Sequence, residues 1–336
     1  MTIRINVGLL LLPLALLGCQ GPGTAEATDV ERGLDADDFV LGTREDSGRD
    51  KTGKMIAVGE LPESHQSVLE AWKVGGFVWE VKRSEALADR ELAAFLVDNL
   101  LMLLIDEYRA IKSGVHDQGG AANLGQGASF ERTRAELILC GAPAAEALAE
   151  TLAIANEAFA ALSKEILMEL GRDAAMPVAA LLDRDKAAVR LRAAIALGRL
   201  PSAGADEGEV IAKMQATAMG DGSDIVRVRA TSSLGERGLW AQVGLPSGSV
   251  EMEPYRSALE ECLKNSSEEV RRTAASGLST LGDQRGIPAL IEAAAAAGKA
   301  DRMVELRSHV SALRSLSRKN FGLDMVAWRT WWRESK

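Results

Sequence analysis

Four arginines recur at matching places in the second half of the chain. Arg190, Arg227, Arg271 and Arg307 follow a Val or Leu in the segments VRLRA, VRVRA, VRRTA and LRSHV. A guanidinium group presents several N–H donors in one plane and binds carboxylates through paired hydrogen bonds. One hypothesis is therefore a basic stripe along one face of the protein that binds an acidic partner.

Two further arginines, Arg192 and Arg229, stand two residues after the first pair. Two residues turn an α-helix by about 200°, so Arg192 and Arg229 cannot share a face with the other arginines. We predict that they face solvent or the opposite groove. They are our candidate arginines for binding a partner.

The residue types used in catalysis do not form a pattern. The three histidines are scattered without an HExxH motif, and we predict that His309 lies on a helix surface. Cys140 and Cys262 are 122 residues apart in apolar helical patterns, without a CxxC motif. Zinc sites and catalytic thiols need closer sets of ligands or bases. We predict no catalytic site, no metal and no cofactor. We expect these two cysteines to be buried free thiols, and a disulfide between them is the alternative.

The composition indicates helices rather than sheets. Hydrophobic residues make up 47% of the 336 residues, aromatic residues only 4%, and alanine supplies much of the apolar share. A β-sandwich would contain more β-branched and aromatic residues. The formal net charge is −9, which disfavours binding of the chain as a whole to nucleic acid and to anionic lipid.

The elements that position the arginines repeat along the chain. From Val189 the marker positions are 37, 44 and 36 residues apart. Each segment begins with a polar turn, continues with small apolar residues and Leu-Gly, and is followed by a second helical pattern. A period near 40 residues with this content indicates a helical solenoid. The longest interval contains the insertion WAQVGLPSGSVEMEPY, which we predict to be a surface loop.

Local details of each repeat also follow from residue type. Acidic or hydroxyl residues precede the marker helices and could accept hydrogen bonds from their free N–H groups; they are Asp185, Asp224 and Ser267. Glycines follow the apolar stripes and are predicted to end the helices in a left-handed conformation; they are Gly198, Gly235 and Gly282.

This pattern resembles HEAT repeats, particularly the short bacterial type, over residues 130–322. The resemblance implies an all-α fold, an α-solenoid of HEAT-like helical hairpins. It also implies a second role for the recurrent arginines, which in this family pair with turn carboxylates of their own or an adjacent unit to form a ladder. Either this ladder or the basic stripe would explain why they recur.

The C-terminal segment 323–336 is predicted to be a Trp-rich capping helix. KNFGLDMVAWRTWWRESK resembles an ending found in many bacterial HEAT-repeat proteins. Asp324 would cap the helix, and Trp328, Trp331 and Trp332 fall on one helical face. This face either seals the end of the solenoid or offers an aromatic site to a glycan or peptide. Residues 301–336 contain eight Lys or Arg and four Asp or Glu, so this end could approach a lipid surface.

Residues 61–129 are predicted to form an N-terminal helical region. Within it, residues 100–105 are apolar all round, as in a buried helix. The Gly-rich segment 114–127 is predicted to be a loop. Upstream, residues 19–60 are rich in Gly, Asp, Glu and Thr, and we predict a flexible tether.

The first 18 residues are predicted to be a lipoprotein signal peptide. Arg4 precedes an apolar run of about 11 residues, which is too short to span a bilayer of about 30 Å. The run ends in LLGC, which resembles the lipobox of bacterial lipoproteins. The resemblance implies lipidation of Cys19, cleavage after Gly18 and a membrane anchor. With Gln20 next, it implies a place in the bacterial cell envelope, on the outer membrane facing the periplasm if the host is Gram-negative.

Three functions are compatible with these features. The first is a non-enzymatic scaffold or adaptor whose solenoid binds an unknown protein partner, while the lipid holds it to the membrane. The second is a module that binds an envelope glycan or peptide. The third is a lyase-like enzyme of the HEAT type. The lipobox and the acidic net charge both argue against this third function.

Overall fold

The computed structural model describes residues 61–112, 120–154, 157–243 and 250–335. The predicted signal peptide and tether, including Cys19, lie outside the described residues. Within the described ranges there is no β-strand. No helix in these ranges is long and apolar enough to cross a membrane.

The N-terminal region consists of helices, as predicted. They are α1 (Glu63–Val74), α2 (Gly76–Ala88), α3 (Arg90–Lys112) and α4 (Gly120–Leu139). Gly75 and Gly76 have φ angles of 74° and 56°, a conformation that glycine adopts without strain, and they allow the sharp turn between α1 and α2. Leu100, Leu101 and Leu104 are at most 2% exposed, whereas Leu103 is 37% exposed, so this stretch is buried on one side and not all round as predicted.

The start of α4 corrects one prediction. Residues 120–127 were expected in a loop because of their glycines, but α4 begins at Gly120. Each glycine costs a helix about 1 kcal/mol relative to alanine, so helix propensity alone does not account for this extension.

The remaining helices form the repeated hairpins. They are α5 (Ala142–Ile154), α6 (Glu157–Leu170), α7 (Ala175–Ala180), α8 (Ala187–Leu197), α9 (Glu207–Gly220), α10 (Asp224–Gln242), α11 (Glu253–Cys262), α12 (Glu268–Thr280), α13 (Ile287–Lys299), α14 (Met303–Ser317) and α15 (Met325–Glu334).

These helices stack in two rows. In the first row, which we call the marker row, α8 packs against α10, α10 against α12, and α12 against α14. In the second row α7 packs against α9 and α9 against α11, while α13 packs against the terminal helix α15. Because the helices pack in hairpins and hairpins pack against the next unit, the predicted all-α solenoid is confirmed.

The marker row is built on the predicted apolar stripe. Val189, Val226, Val270 and Leu306 are all 5% exposed or less. Alanines four residues later, such as Ala193 and Ala230, are completely buried. A row of small side chains lets neighbouring helices approach closely, and larger residues at these places would overpack the interface.

The glycines behave differently from the prediction, with one exception. Gly282 is left-handed, with a φ of 70°. Gly198 follows α8 in a right-handed conformation with a φ of −63°, and Gly235 lies inside α10. A Cβ at Gly235 would lie 3.0 Å from the Cα of Gly277 in α12. Close approach of the helices, rather than helix termination, explains Gly235.

Candidate functional site

The recurrent arginines clamp the turns that precede their own helices. Arg190 donates to the carbonyl oxygens of Arg184 and Asp185 at 2.8 and 2.6 Å. Arg227 donates to the carbonyl oxygen of Asp221 at 2.5 Å. Arg271 repeats this contact with two carbonyl oxygens of its turn at 2.7 and 2.8 Å. The same side chain thus satisfies carbonyl oxygens of the turn that precedes its helix.

Asp221 links two successive units of the marker row. Arg190 grips its carboxylate through Nε at 2.6 Å and Nη2 at 2.9 Å, in a bidentate pair. The amide of Ser223 donates to the same carboxylate at 2.8 Å. Burial alone would raise the pKa of Asp221, but the hydrogen bonds from Arg190 and the Ser223 amide outweigh burial and lower it. This pair, together with the pair between Arg227 and Asp224 of its own unit, matches the ladder that the HEAT resemblance implied. Arg271 instead contacts carbonyl oxygens of its turn.

The helix starts are not capped in the predicted way. The N-cap residues of α8, α10 and α12 are Lys186, Ser223 and Ser267, and none of their side chains accepts a capping hydrogen bond. Asp221 and Asn265 lie two residues upstream of the two serines. Their side chains accept from the serine amides at 2.8 and 2.9 Å. Aspartate and asparagine side chains stabilise such turns by bonding to the backbone two residues on.

Arg307 departs from its counterparts. It occupies the equivalent sequence position, but its side chain is exposed. The residue six positions before Arg190 or Arg227 has an extended backbone, with φ of −74° at Arg184 and −60° at Asp221. At Asp301, six positions before Arg307, φ is 54°. This left-handed residue reorients the turn, so the clamp does not form at α14.

An open cavity of about 510 Å³ lies along the first of these turns. Its charged lining neutralises itself, because Arg190 pairs with Asp221 at 2.6 Å and Lys213 pairs with Asp183 at 2.7 Å. The site offers neither an unpaired cluster of acids and bases nor a deep enclosure, and its geometry fits a structural turn.

The candidate arginines Arg192 and Arg229 are half-buried. Arg192 donates to the carbonyl oxygen of Leu152 in α5 at 3.2 Å. Arg229 pairs with Glu236 on its own helix at 3.3 Å. Both side chains therefore contribute to contacts within the solenoid, and their role in binding a partner stays a prediction.

The tryptophans of α15 pack against the end of the solenoid. Trp328 is completely buried, donates from Nε1 to the carbonyl oxygen of Gly322 at 3.1 Å, and meets the ring of Phe321 edge to face at 4.9 Å. Trp331 and Trp332 are partly buried against the same apolar cluster. Asp324 accepts from the amides of residues 326 and 327 at 2.9 and 3.0 Å, which confirms the predicted cap.

The sequence analysis missed a buried ionic network between repeats. Arg237 in α10 is 1% exposed and grips Glu207 of α9 at 2.6 and 2.7 Å. Tyr255 of α11 donates to Glu207 at 2.6 Å. Burial alone would raise the pKa of Glu207. The hydrogen bonds from Arg237 and Tyr255 outweigh burial, so the pKa lies below its ordinary value. The only signal in the sequence was an arginine beside the apolar stripe of α10.

The two thiols and the ring of His309 are buried. Cys140 and Cys262 are buried and free, as predicted. Burial raises the pKa of the Cys140 thiol to about 12 and that of Cys262 to about 11. His309 is 5% exposed, so the prediction of a surface histidine was wrong; it packs on the inner side of α14. Among the described residues no group of His, Cys, Asp and Glu has metal-ligand geometry.

Comparison with known families agrees with this geometry. Residues 211–306, which extend from α9 into α14, match the protein-family model described as HEAT repeats. Repeats of this family generally mediate protein–protein contacts. No curated protein matches the chain.

Proposed function

We propose that this protein is a lipid-anchored, non-enzymatic scaffold of the bacterial cell envelope. The lipobox-like LLGC supports lipidation of Cys19. The HEAT repeats of residues 211–306 support a role in binding proteins. The pairing of the acidic and basic groups within the repeats supports a role without catalysis, because these groups are engaged in holding turns and helices.

The observation that carries the scaffold proposal is the exposed end of α10. This helix has 19 residues, whereas α8, α12 and α14 in the same row have 11, 13 and 15. The extension leaves Leu239, Trp240 and Val243 exposed by 39%, 61% and 72%. Clustered exposed apolar residues mark interaction surfaces, and tryptophan is enriched among the residues that dominate binding energy.

A test of the partner surface compares two exposed apolar positions of α10. Trp240→Ala and Ile225→Ala both truncate an exposed side chain, because Ile225 at the other end of the helix is 55% exposed. The intact lipoprotein and each variant are crosslinked in cells, captured and identified by mass spectrometry. We expect a defined protein that is lost with Trp240→Ala and retained with Ile225→Ala. Retention of a glycan and no protein would replace the scaffold with the ligand-binding function.

The anchor is tested separately by fractionating cells. Cys19→Ser should move the protein from the membrane fraction to the soluble fraction, because the thiol that carries the lipid is gone. Cys140→Ser serves as the control, since this buried thiol is not a candidate for lipidation. Continued membrane association of the Cys19→Ser chain would show that LLGC is not a lipidation signal.

A further inference from the structure

One face of α14 is basic from end to end. Arg307, Arg314 and the C-cap residue Arg318 are all exposed. Arg307 and Arg314 lie about 20° apart around the helix axis, and Arg318 follows at the end of the helix in a left-handed conformation with a φ of 56°. The helical rise places them about 16 Å apart from first to last. Lys319 continues the same surface. We call this surface the α14 stripe.

In the described ranges, the guanidinium groups of the α14 stripe are not held by a turn or a carboxylate, unlike the clamp arginines of the preceding repeats. The clamp arginines of α8, α10 and α12 are held by turn carbonyl oxygens, and Arg272 pairs with Glu305 at 2.9 Å. Within the part of the chain that the structure describes, no carboxylate meets the guanidinium groups of the stripe. The one acidic residue of α14, Glu305, is turned aside toward Arg272 and Arg302.

The remaining residues of the face are suited to binding phosphate. Ser308, Ser311 and Ser315 are exposed between the arginines and add hydroxyl donors. Guanidinium and hydroxyl groups together donate hydrogen bonds to the oxygens of a phosphate group. Val304, at the start of the same face, is 76% exposed and adds an apolar contact.

We propose that the α14 stripe docks on an anionic phospholipid surface. Three arginines in a line about 16 Å long, on a helix with an unpartnered outer face, fit an extended plane of phosphates better than a single ion. The choice of a membrane over an acidic protein rests on the lipid anchor proposed above, because anchoring keeps the bilayer at high effective concentration. The net charge of −9 does not oppose this docking locally, since the C-terminal segment has an excess of cations.

The test uses a chain without the anchor, residues 20–336, which contains every described residue. Flotation is measured with phosphatidylcholine vesicles and with vesicles of equal parts phosphatidylcholine and phosphatidylglycerol. The triple variant Arg307→Ser, Arg314→Ser, Arg318→Ser is compared with a control that changes three other exposed arginines to serine; the control residues are Arg90, Arg172 and Arg199. Both variants lose the same charge. Circular dichroism verifies that each remains folded.

We expect binding to the phosphatidylglycerol vesicles alone, reduced on the order of 100-fold by the stripe variant and retained by the control. Equal binding of the stripe variant and the unaltered chain would overturn the proposal. Vesicle binding abolished by millimolar inorganic phosphate at constant ionic strength would indicate an isolated phosphate site instead. Binding to polyglutamate without binding to vesicles would assign the stripe to an acidic protein. None of these outcomes depends on Cys19 or on a protein partner, so failure here is distinct from failure of the proposed function.

Discussion

Replacing the buried Arg237 by leucine is the sharpest test of how the repeats are held together. The guanidinium group makes two bonds to Glu207 and three to the carbonyl oxygens of Leu197, Leu200 and Pro201, at 2.6–3.0 Å. One side chain of α10 thus joins α9 and the end of α8. Leucine fills much of the space but satisfies none of these acceptors.

Arg237→Leu lowers the free energy of unfolding because it leaves the Glu207 carboxylate without its arginine. The Glu207 carboxylate keeps its bonds to Tyr255 and to the amide of Ala203 but loses its counter-ion. Removing one partner of a buried ion pair destabilises a protein by about 3–5 kcal/mol. At about 2–4 °C per kcal/mol for a chain of this size, the expected loss in Tm is roughly 10 °C.

Urea unfolding followed by circular dichroism measures the loss in the free energy of unfolding, with Arg329→Leu as the control. Arg329 also makes a bidentate pair, with Glu292 at 3.0 Å, but both side chains are exposed by 41% and 68%. Such a pair contributes less than about 1 kcal/mol. If Arg237→Leu costs no more than Arg329→Leu, the buried network does not hold the repeats.

The pH dependence of the free energy of unfolding is a second measure of the network around Glu207. The folded state lowers the pKa of Glu207 below its ordinary value of 4.5. The ionised carboxylate therefore contributes stability that is complete above pH 4.5 and is lost as the pH falls through the folded pKa. Arg237→Leu should reduce this contribution, and a double variant with Glu207→Met should recover part of the stability because no charge is left buried.

Three further predictions follow from single contacts. Gly235→Ala should lower the free energy of unfolding by about 1–3 kcal/mol, because its methyl group would lie 3.0 Å from the backbone of α12. In the same urea assay Gly208→Ala in α9 should be neutral or stabilising, because nothing lies within 4 Å of the added methyl group. Asp324→Ala should cost about 1 kcal/mol through loss of the cap on α15, and an unchanged midpoint would show that the cap is dispensable. Burial, aided by a neighbouring arginine, lowers the pKa of His309 below 6.5, so Tm should fall as the pH drops through 6.5; a His309→Leu variant with the same slope would assign the effect elsewhere.

The fold was predictable because the same pattern of apolar and small residues recurs in each repeat. The stripe of Val189, Val226 and Val270, followed four residues later by alanine, fixed which helix face is buried. The period of the marker positions, near 40 residues, predicted that the helical hairpins stack. The spacing of the tryptophans in α15 predicted a helix that closes the end of the repeats. These features depend on residues close together in sequence, whose positions in a helix follow from its geometry.

What could not be predicted depends on residues far apart in the chain. Gly235 looked like a helix end because the sequence does not show that the Cα of Gly277 lies against it. Glu207 and Arg237 stand 30 residues apart and Tyr255 a further 18, with no periodic pattern that links them. His309 looked exposed because it follows a polar run, yet α14 turns it toward α12.

The end of the marker row is where the repeated arginine acquires a different role. Arg190 can grip Asp221 because another turn of the same shape follows it, and Arg227 and Arg271 are occupied by their own turns. At α14 the left-handed Asp301 removes the clamp, so Arg307 points to solvent beside Arg314. A side chain that stabilises the interior units thereby becomes a free cation at the last one. The free cation at Arg307 is thus a consequence of the turn that precedes α14. A repeat added after α14 with a turn like that of Asp221 should neutralise Arg307 and weaken vesicle binding.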